Sequence, residues 1–165
     1  MIKWLFTSLG LLALAACAGF GPPLAIGQTE AQVQGLLGTP TGRYPMNDGV
    51  TRLEFATGPY GRHTWLVDIG PDGRSRWFEQ VLNTRYFADF QQRAAGMSRA
   101  ELLRALGRPG VRQHGGWAGG ETWSWRYPTN DCLWFQVSIG ADDKVIGGGY
   151  GIDPICDVND RNGLF

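Results

Sequence analysis

One stretch of this chain occurs twice. Gly27-Gln28-Thr29-Glu30-Ala31-Gln32-Val33, then Leu36-Leu37-Gly38-Thr39-Pro40, returns 69 residues later as Gly96-Met97-Ser98-Arg99-Ala100-Glu101-Leu102, then Ala105-Leu106-Gly107-Arg108-Pro109. A duplication of this length restricts the fold to two copies of one small unit. Thr29 with Gln32, and Ser98 with Glu101, have capping-box spacing, in which the hydroxyl accepts from an orphan N–H of the first turn and the third residue reaches back. Val33, Leu36 and Leu37, matched by Leu102, Ala105 and Leu106, form a one-sided apolar stripe. Gly38 and Gly107 suit a left-handed helix end, and Pro40 and Pro109 prevent continuation. Each copy therefore predicts a helix of about ten residues.

Alternating sequence follows each helix, the mark of half-buried strands. In the first copy Leu53 and Phe55 share a face, then Trp65, Val67 and Ile69. The turn Gly70-Pro71-Asp72-Gly73 and a strand through Trp77, Phe78 and Val81 follow. In the second copy the same slots hold Trp123, Trp125 and Tyr127, then Leu133, Phe135, Val137 and Ile139, then a turn at Gly140 to Asp143 and a strand from Lys144. The expectation is an α+β fold: two tandem repeats, each with short helices packed on a three-stranded antiparallel meander. Between them, Asn83 to Ala94 reads as a further helix, with Phe87 and Phe90 on one side and Thr84 as its cap.

The N-terminus adds an address. Lys3 precedes an apolar run from Trp4 to Leu14, too short for a permanent membrane span, and Leu14-Ala15-Ala16-Cys17 resembles the lipobox of bacterial lipoproteins. That resemblance implies cleavage before Cys17 and lipidation of its thiol, with each buried CH₂ of the acyl chains contributing about 0.8 kcal/mol to membrane attachment. Ala18, rather than Asp, after the cysteine implies sorting to the outer membrane. The resulting division is a signal peptide at 1–16, a lipidated tether at 17–26, repeat 1 at 27–82, repeat 2 with its lead-in helix at 83–152, and a tail at 153–165.

Charge narrows the partners. Of 15 Lys and Arg, Lys3 leaves with the signal, so 14 remain against 15 Asp and Glu. Without basic clusters the chain lacks what phosphate binding requires, so no nucleic-acid partner is expected, and no membrane contact beyond the lipid. Cys132 and Cys156 are the other two cysteines, and in an oxidising compartment a bridge between them is the natural expectation. Closing a loop of that length stabilises by roughly 3 kcal/mol in the chain-entropy account. Two buried free thiols are the alternative.

The second copy, from Gly96-Met97-Ser98 to Arg108-Pro109 and on through Glu121-Thr122-Trp123-Ser124-Trp125-Arg126-Tyr127, resembles the BamE (SmpA/OmlA) domain; the first resembles it more loosely, with Leu53-Glu54-Phe55 in place of the aromatic strand. That family consists of small outer-membrane lipoproteins with two helices on a three-stranded sheet. It implies an accessory role in outer-membrane protein assembly or envelope integrity, with protein partners such as barrel-assembly subunits. Tandem copies are also similar in architecture to the β-lactamase inhibitory protein, whose paired sheets form an aromatic concave face. That similarity implies instead a tethered inhibitor of a periplasmic enzyme.

Catalytic motifs are missing. No Gly-x-Ser-x-Gly, His-Glu-x-x-His or phosphate loop occurs, and Gly147-Gly148-Gly149-Tyr150-Gly151 lacks dinucleotide spacing, reading better as a bulged or closely approached strand end. His63 and His114 lie in loop sequence without Cys-x-x-Cys, so no metal is expected. Arg161 stands where a calcium loop of the tail would need a ligand. The expectation is a non-enzyme without cofactor or small-molecule substrate.

Surface recognition remains. If Trp123, Trp125, Leu133, Phe135, Val137 and Ile139 face the helices, alternation sends Thr122, Ser124, Arg126, Trp134, Gln136 and Ser138 to the opposite face. An outward Trp134 beside Arg126 has the composition of a binding hot spot, with Gln136 alongside and Trp117, in a glycine-rich loop, as a second anchor. Trp134 has an alternative place, packed under the tail or in the seam between repeats.

Overall fold

The structure, a computed structural model, describes residues 23–115 and 119–156. In chain order it contains α1 (Glu30–Leu37), β1 (Gly42–Pro45), β2 (Thr51–Thr57), β3 (His63–Ile69), β4 (Ser75–Gln80), α2 (Thr84–Arg93), α3 (Arg99–Leu106), β5 (Val111–His114), β6 (Glu121–Trp125), β7 (Leu133–Ile139) and β8 (Val145–Ile152). The strands form two antiparallel sheets in the orders β1-β2-β3-β4 and β5-β6-β7-β8. Each sheet thus has four strands, not the three expected. The extra strands, Gly42-Arg43-Tyr44-Pro45 and Val111-Arg112-Gln113-His114, are four-residue edges with no apolar alternation. They pair with β2 and β6 through the backbone, which leaves no period-two signature.

The duplication extends to the backbone. Both capping boxes form, with Gln32 and Glu101 side chains accepting from Thr29 N and Ser98 N at 2.8 and 2.7 Å. Isolated bridges join Thr29 to Arg74 and Ser98 to Lys144. The register breaks at Asp68/Ile69 in one sheet and Ser138/Ile139 in the other. The helices α1 and α3 have eight residues each. Asn83, rather than Thr84, caps α2, its Oδ1 accepting from Tyr86 N at 2.9 Å. Asn accepts through a longer side chain, and its extended backbone leaves Thr84 free to begin the helix.

One face of sheet 1 packs on α1: Val33 meets Leu53, Phe55, Val67 and Ile69, with Trp65 and Phe78 alongside. Sheet 2 packs its inner face on α2 and α3, where Phe87 stacks on Phe135 with ring centroids 4.0 Å apart, and Leu102 and Leu106 join Trp123, Trp125 and Val137. The same cluster takes in Leu66, Val81 and Leu82 from repeat 1. Leu66 neighbours Val67 on β3 and so points to the other face of sheet 1. Sheet 1 is therefore covered on both faces, by α1 and by repeat 2.

Polar bonds fix that joint. Arg52 of β2 grips Asp68 of β3 with Nε–Oδ1 2.6 Å and Nη2–Oδ2 2.7 Å, donates from Nη1 to the Arg104 carbonyl at 2.8 Å, and lies 4.6 Å from the Trp77 ring centroid. Arg104 is in the last turn of α3, where carbonyls lack helical partners. Glu54, 1 % exposed, accepts from Thr41 Oγ1 at 3.1 Å, from the Tyr44 hydroxyl, and from Arg108 N at 3.2 Å. Gly107, at φ 73°, ends α3 against this carboxylate; a Cβ there would stand 2.9 Å from Glu54 Cδ. Burial, the Glu54 hydrogen bond and the Glu54 charge all push the Tyr44 phenol upward, so it stays a donor.

Because one core crosses the repeat boundary, Leu66→Ala is expected to destabilise the whole folded part by about 2–5 kcal/mol. Denaturation followed by tryptophan fluorescence and by circular dichroism should stay coincident. A variant in which repeat 1 unfolds while repeat 2 stays folded contradicts this.

Candidate interaction site

The two outer faces share a backbone and differ in side chains. From the paired registers, Arg52, Glu54, Leu66, Asp68 and Trp77 of sheet 1 correspond to Thr122, Ser124, Gln136, Ser138 and Gly147 of sheet 2. Charged and bulky residues of the first set hold repeat 2. The second set is neutral and, apart from the buried Ser124, lines a depression of about 440 Å³ with Gln113, Ile146, Gly149 and Tyr150. Gln136 is half-buried and donates from Nε2 to Ser124 Oγ at 3.1 Å.

Trp134 is on the outer face, as alternation requires, but it is only 4 % exposed. Arg126 turns back over it, Cζ 5.5 Å from the Trp134 ring centroid and 4.7 Å from that of Tyr60. The guanidinium is committed: it donates to both oxygens of Asp153, Nη2–Oδ1 being 2.8 Å. Burial thus favours the packing alternative for Trp134, in a seam where Tyr60 of repeat 1 stacks on Arg126 of repeat 2. Tyr60 is exposed, with φ 59°, a strained value for a non-glycine residue. The Trp134 indole N–H, by contrast, is buried without a hydrogen-bond partner among the described residues.

The expected disulfide forms between Cys132 and Cys156, with Cα atoms 6.0 Å apart. It ties the segment carrying Asp153 to the start of β7, reinforced by Asp153 N to Cys132 O at 3.0 Å. The bridge therefore holds the carboxylate that holds Arg126. Cys17 and Trp117 lie outside the described residues, as does the tail beyond Cys156.

No family model, curated protein or solved structure matches the chain. The site rests on its own geometry. Gln136 is where alternation put it, and Arg126 and Trp134 come together as expected, but as a seam closed by Asp153 and Tyr60. The occupied outer face of sheet 1 escaped the sequence reading. Its signal was Trp65-Leu66-Val67, three apolar residues in a row, which alternation for a one-sided sheet does not allow.

The Arg126 guanidinium holds the Asp153 carboxyl below the usual carboxylate range. A lowered folded-state pKa gives stabilisation that is present above the unfolded value, about 4, and lost as pH falls through the folded one. Asp153→Asn should therefore lower the denaturation midpoint at pH 7, and the gap to the parent should narrow as pH falls below about 4 and close once the folded-state carboxyl is protonated. A gap that is constant from pH 7 to pH 3 would show that the pair does not act this way.

Proposed function

We propose that this protein is a lipid-anchored, non-enzymatic interaction module on the periplasmic face of the outer membrane, accessory to outer-membrane protein assembly or envelope integrity. The observation that carries the reading is the contrast between equivalent faces. Sheet 1 uses its outer face to dock α3, whereas the open part of the same face on sheet 2, around Thr122, Gln136 and Ser138, meets no helix among the described residues. Neutral hydroxyls and amides in a shallow depression suit recognition of protein surface better than reaction chemistry. The lipobox-like sequence at Cys17 and the BamE-like order of helix and meander supply the compartment and the assembly context. The acyl chains on a single lipidated residue would hold the module at the membrane; no described helix is long and apolar enough to cross one.

The tethered-inhibitor reading required the two sheets to share a concave aromatic face. It stands second, because Leu66 and Glu54 of sheet 1 are buried against repeat 2 and Trp134 in the seam, which leaves a blocking face only on the open part of sheet 2.

Photo-crosslinking amino acids at Gln136, Thr122 and Ser138 should trap envelope proteins of the barrel-assembly machinery in cells. A crosslinker at Asp72, on the far turn of sheet 1, should not. Adducts with a soluble hydrolase alone, or equal adducts at Asp72, would refute the proposed site. Cys17→Ser should move the protein from the membrane fraction to the soluble periplasmic fraction; unchanged membrane recovery would refute the anchor.

A further inference from the structure

Both sheets end in an edge strand beyond the third, and the two edges are guarded differently. An edge presents alternate unpaired N–H and C=O groups, and natural sheets protect them with charge, Pro or bulges. On β4 (Ser75–Gln80) the guards are Arg76 and Glu79, the latter paired with Arg85 at 3.1 Å. On β8 (Val145–Ile152) the corresponding residues are Ile146 and Gly149, and no charged residue occurs along the strand. Ile146 and Ile152 are each 68 % exposed. The start of the strand is paired already, with Val145 N donating to Met97 O and Gly96 N to Val145 O at 2.8 Å each, and Gln91 Nε2 donates to Gly148 O at 2.8 Å, so the open part of the edge runs from Gly148 to Ile152.

The outward row of β8 is bare as well. Where β4 and the residue after it place Trp77, Glu79 and Val81, the second repeat has Gly147, Gly149 and Gly151. A Cβ added at Gly147 or Gly149 would meet nothing within 4 Å, and neither residue has a positive φ. Glycine is costly within a strand, and Gly147 and Gly149 leave room that the chain itself does not fill, whereas the place beside Gly151 is taken by Gln136 and Trp134. That room is part of the 440 Å³ depression.

We infer that β8 is an acceptor edge for a foreign extended segment, which adds as a fifth strand to sheet 2. Backbone pairing requires the segment to be extended. The uncharged edge favours an uncharged one, and the glycine row favours bulky apolar or aromatic side chains at alternate positions, leaning over Gly147 and Gly149 as cross-strand and diagonal neighbours do. The inference rests on the reading of the protein as an interaction module and specifies what one surface takes.

The test uses the mature protein and a capped, fluorescein-labelled ten-residue peptide of alternating Thr and Phe, followed by anisotropy, with a control peptide in which Pro replaces each Thr. The parent should bind the first peptide and not the second. Installing the guards of repeat 1, Ile146→Arg with Gly149→Glu, should weaken binding at least tenfold while thermal unfolding is unchanged. Ile146→Arg alone, at an exposed bulge, carries the same expectation should the double variant fold poorly. Absent binding by the parent, or equal binding by both variants, overturns the inference. So does concentration-dependent self-association that the guards abolish, which would make a second copy the occupant. Persisting Gln136 crosslinks in cells without peptide binding would sink this edge and leave the module reading intact. Peptide binding without any envelope crosslink would do the reverse.

Discussion

The end of α3 is held by two side chains of the other repeat, and the arrangement of the whole molecule depends on that grip. Arg52 donates to the orphan carbonyl of Arg104, and Glu54 accepts the N–H of Arg108, just beyond the helix. Both side chains are taken out of water, which is tolerable because each is fully engaged: Arg52 by Asp68 and the Trp77 face, Glu54 by Thr41 and Tyr44. Leu66 then joins the core of the second repeat, and the outer face of sheet 1 is turned to that repeat, with Arg52, Asp68 and Trp77 half-buried around it. Removing either charge alone would leave the other engaged network, and α3, with buried groups lacking partners.

Much of this was legible from residue spacing. The two capping boxes, the helix-ending glycines and the inward rows Leu53/Phe55 and Trp123/Trp125 follow from local rules that tertiary structure did not override. The edge strands β1 and β5 were not legible, since four residues with no apolar alternation are recognisable only by what they pair with. The seam was half legible. Alternation placed Trp134 and Arg126 on one face, but nothing local shows that Asp153, 27 residues further on, turns the arginine back over the indole. Charged residues on the outer row of sheet 1, read singly, look like a solvated face. Their role depends on a helix end 52 residues away.

Duplication followed by divergence explains the asymmetry in physical terms. Two copies of one backbone place corresponding residues on their outer faces. In the first, charge and bulk at positions 52, 54 and 77 bind the neighbour; in the second, Thr, Ser and Gly at the corresponding positions leave the face neutral and partly open. Under the proposed function the lipid at Cys17 has a mechanistic part, because confining that open face near the membrane raises its effective concentration against other anchored proteins. The disulfide serves the same face indirectly, by fixing the turn whose Asp153 closes the seam beside it.

Carbene footprinting of the mature protein, read by mass spectrometry at single residues, tests the central asymmetry most directly. The account predicts stronger labelling of Gln136 and Ser138 than of their counterparts Leu66 and Asp68 in the folded state, with the difference vanishing in denaturant. Comparable labelling of the two outer faces in the folded protein would contradict it.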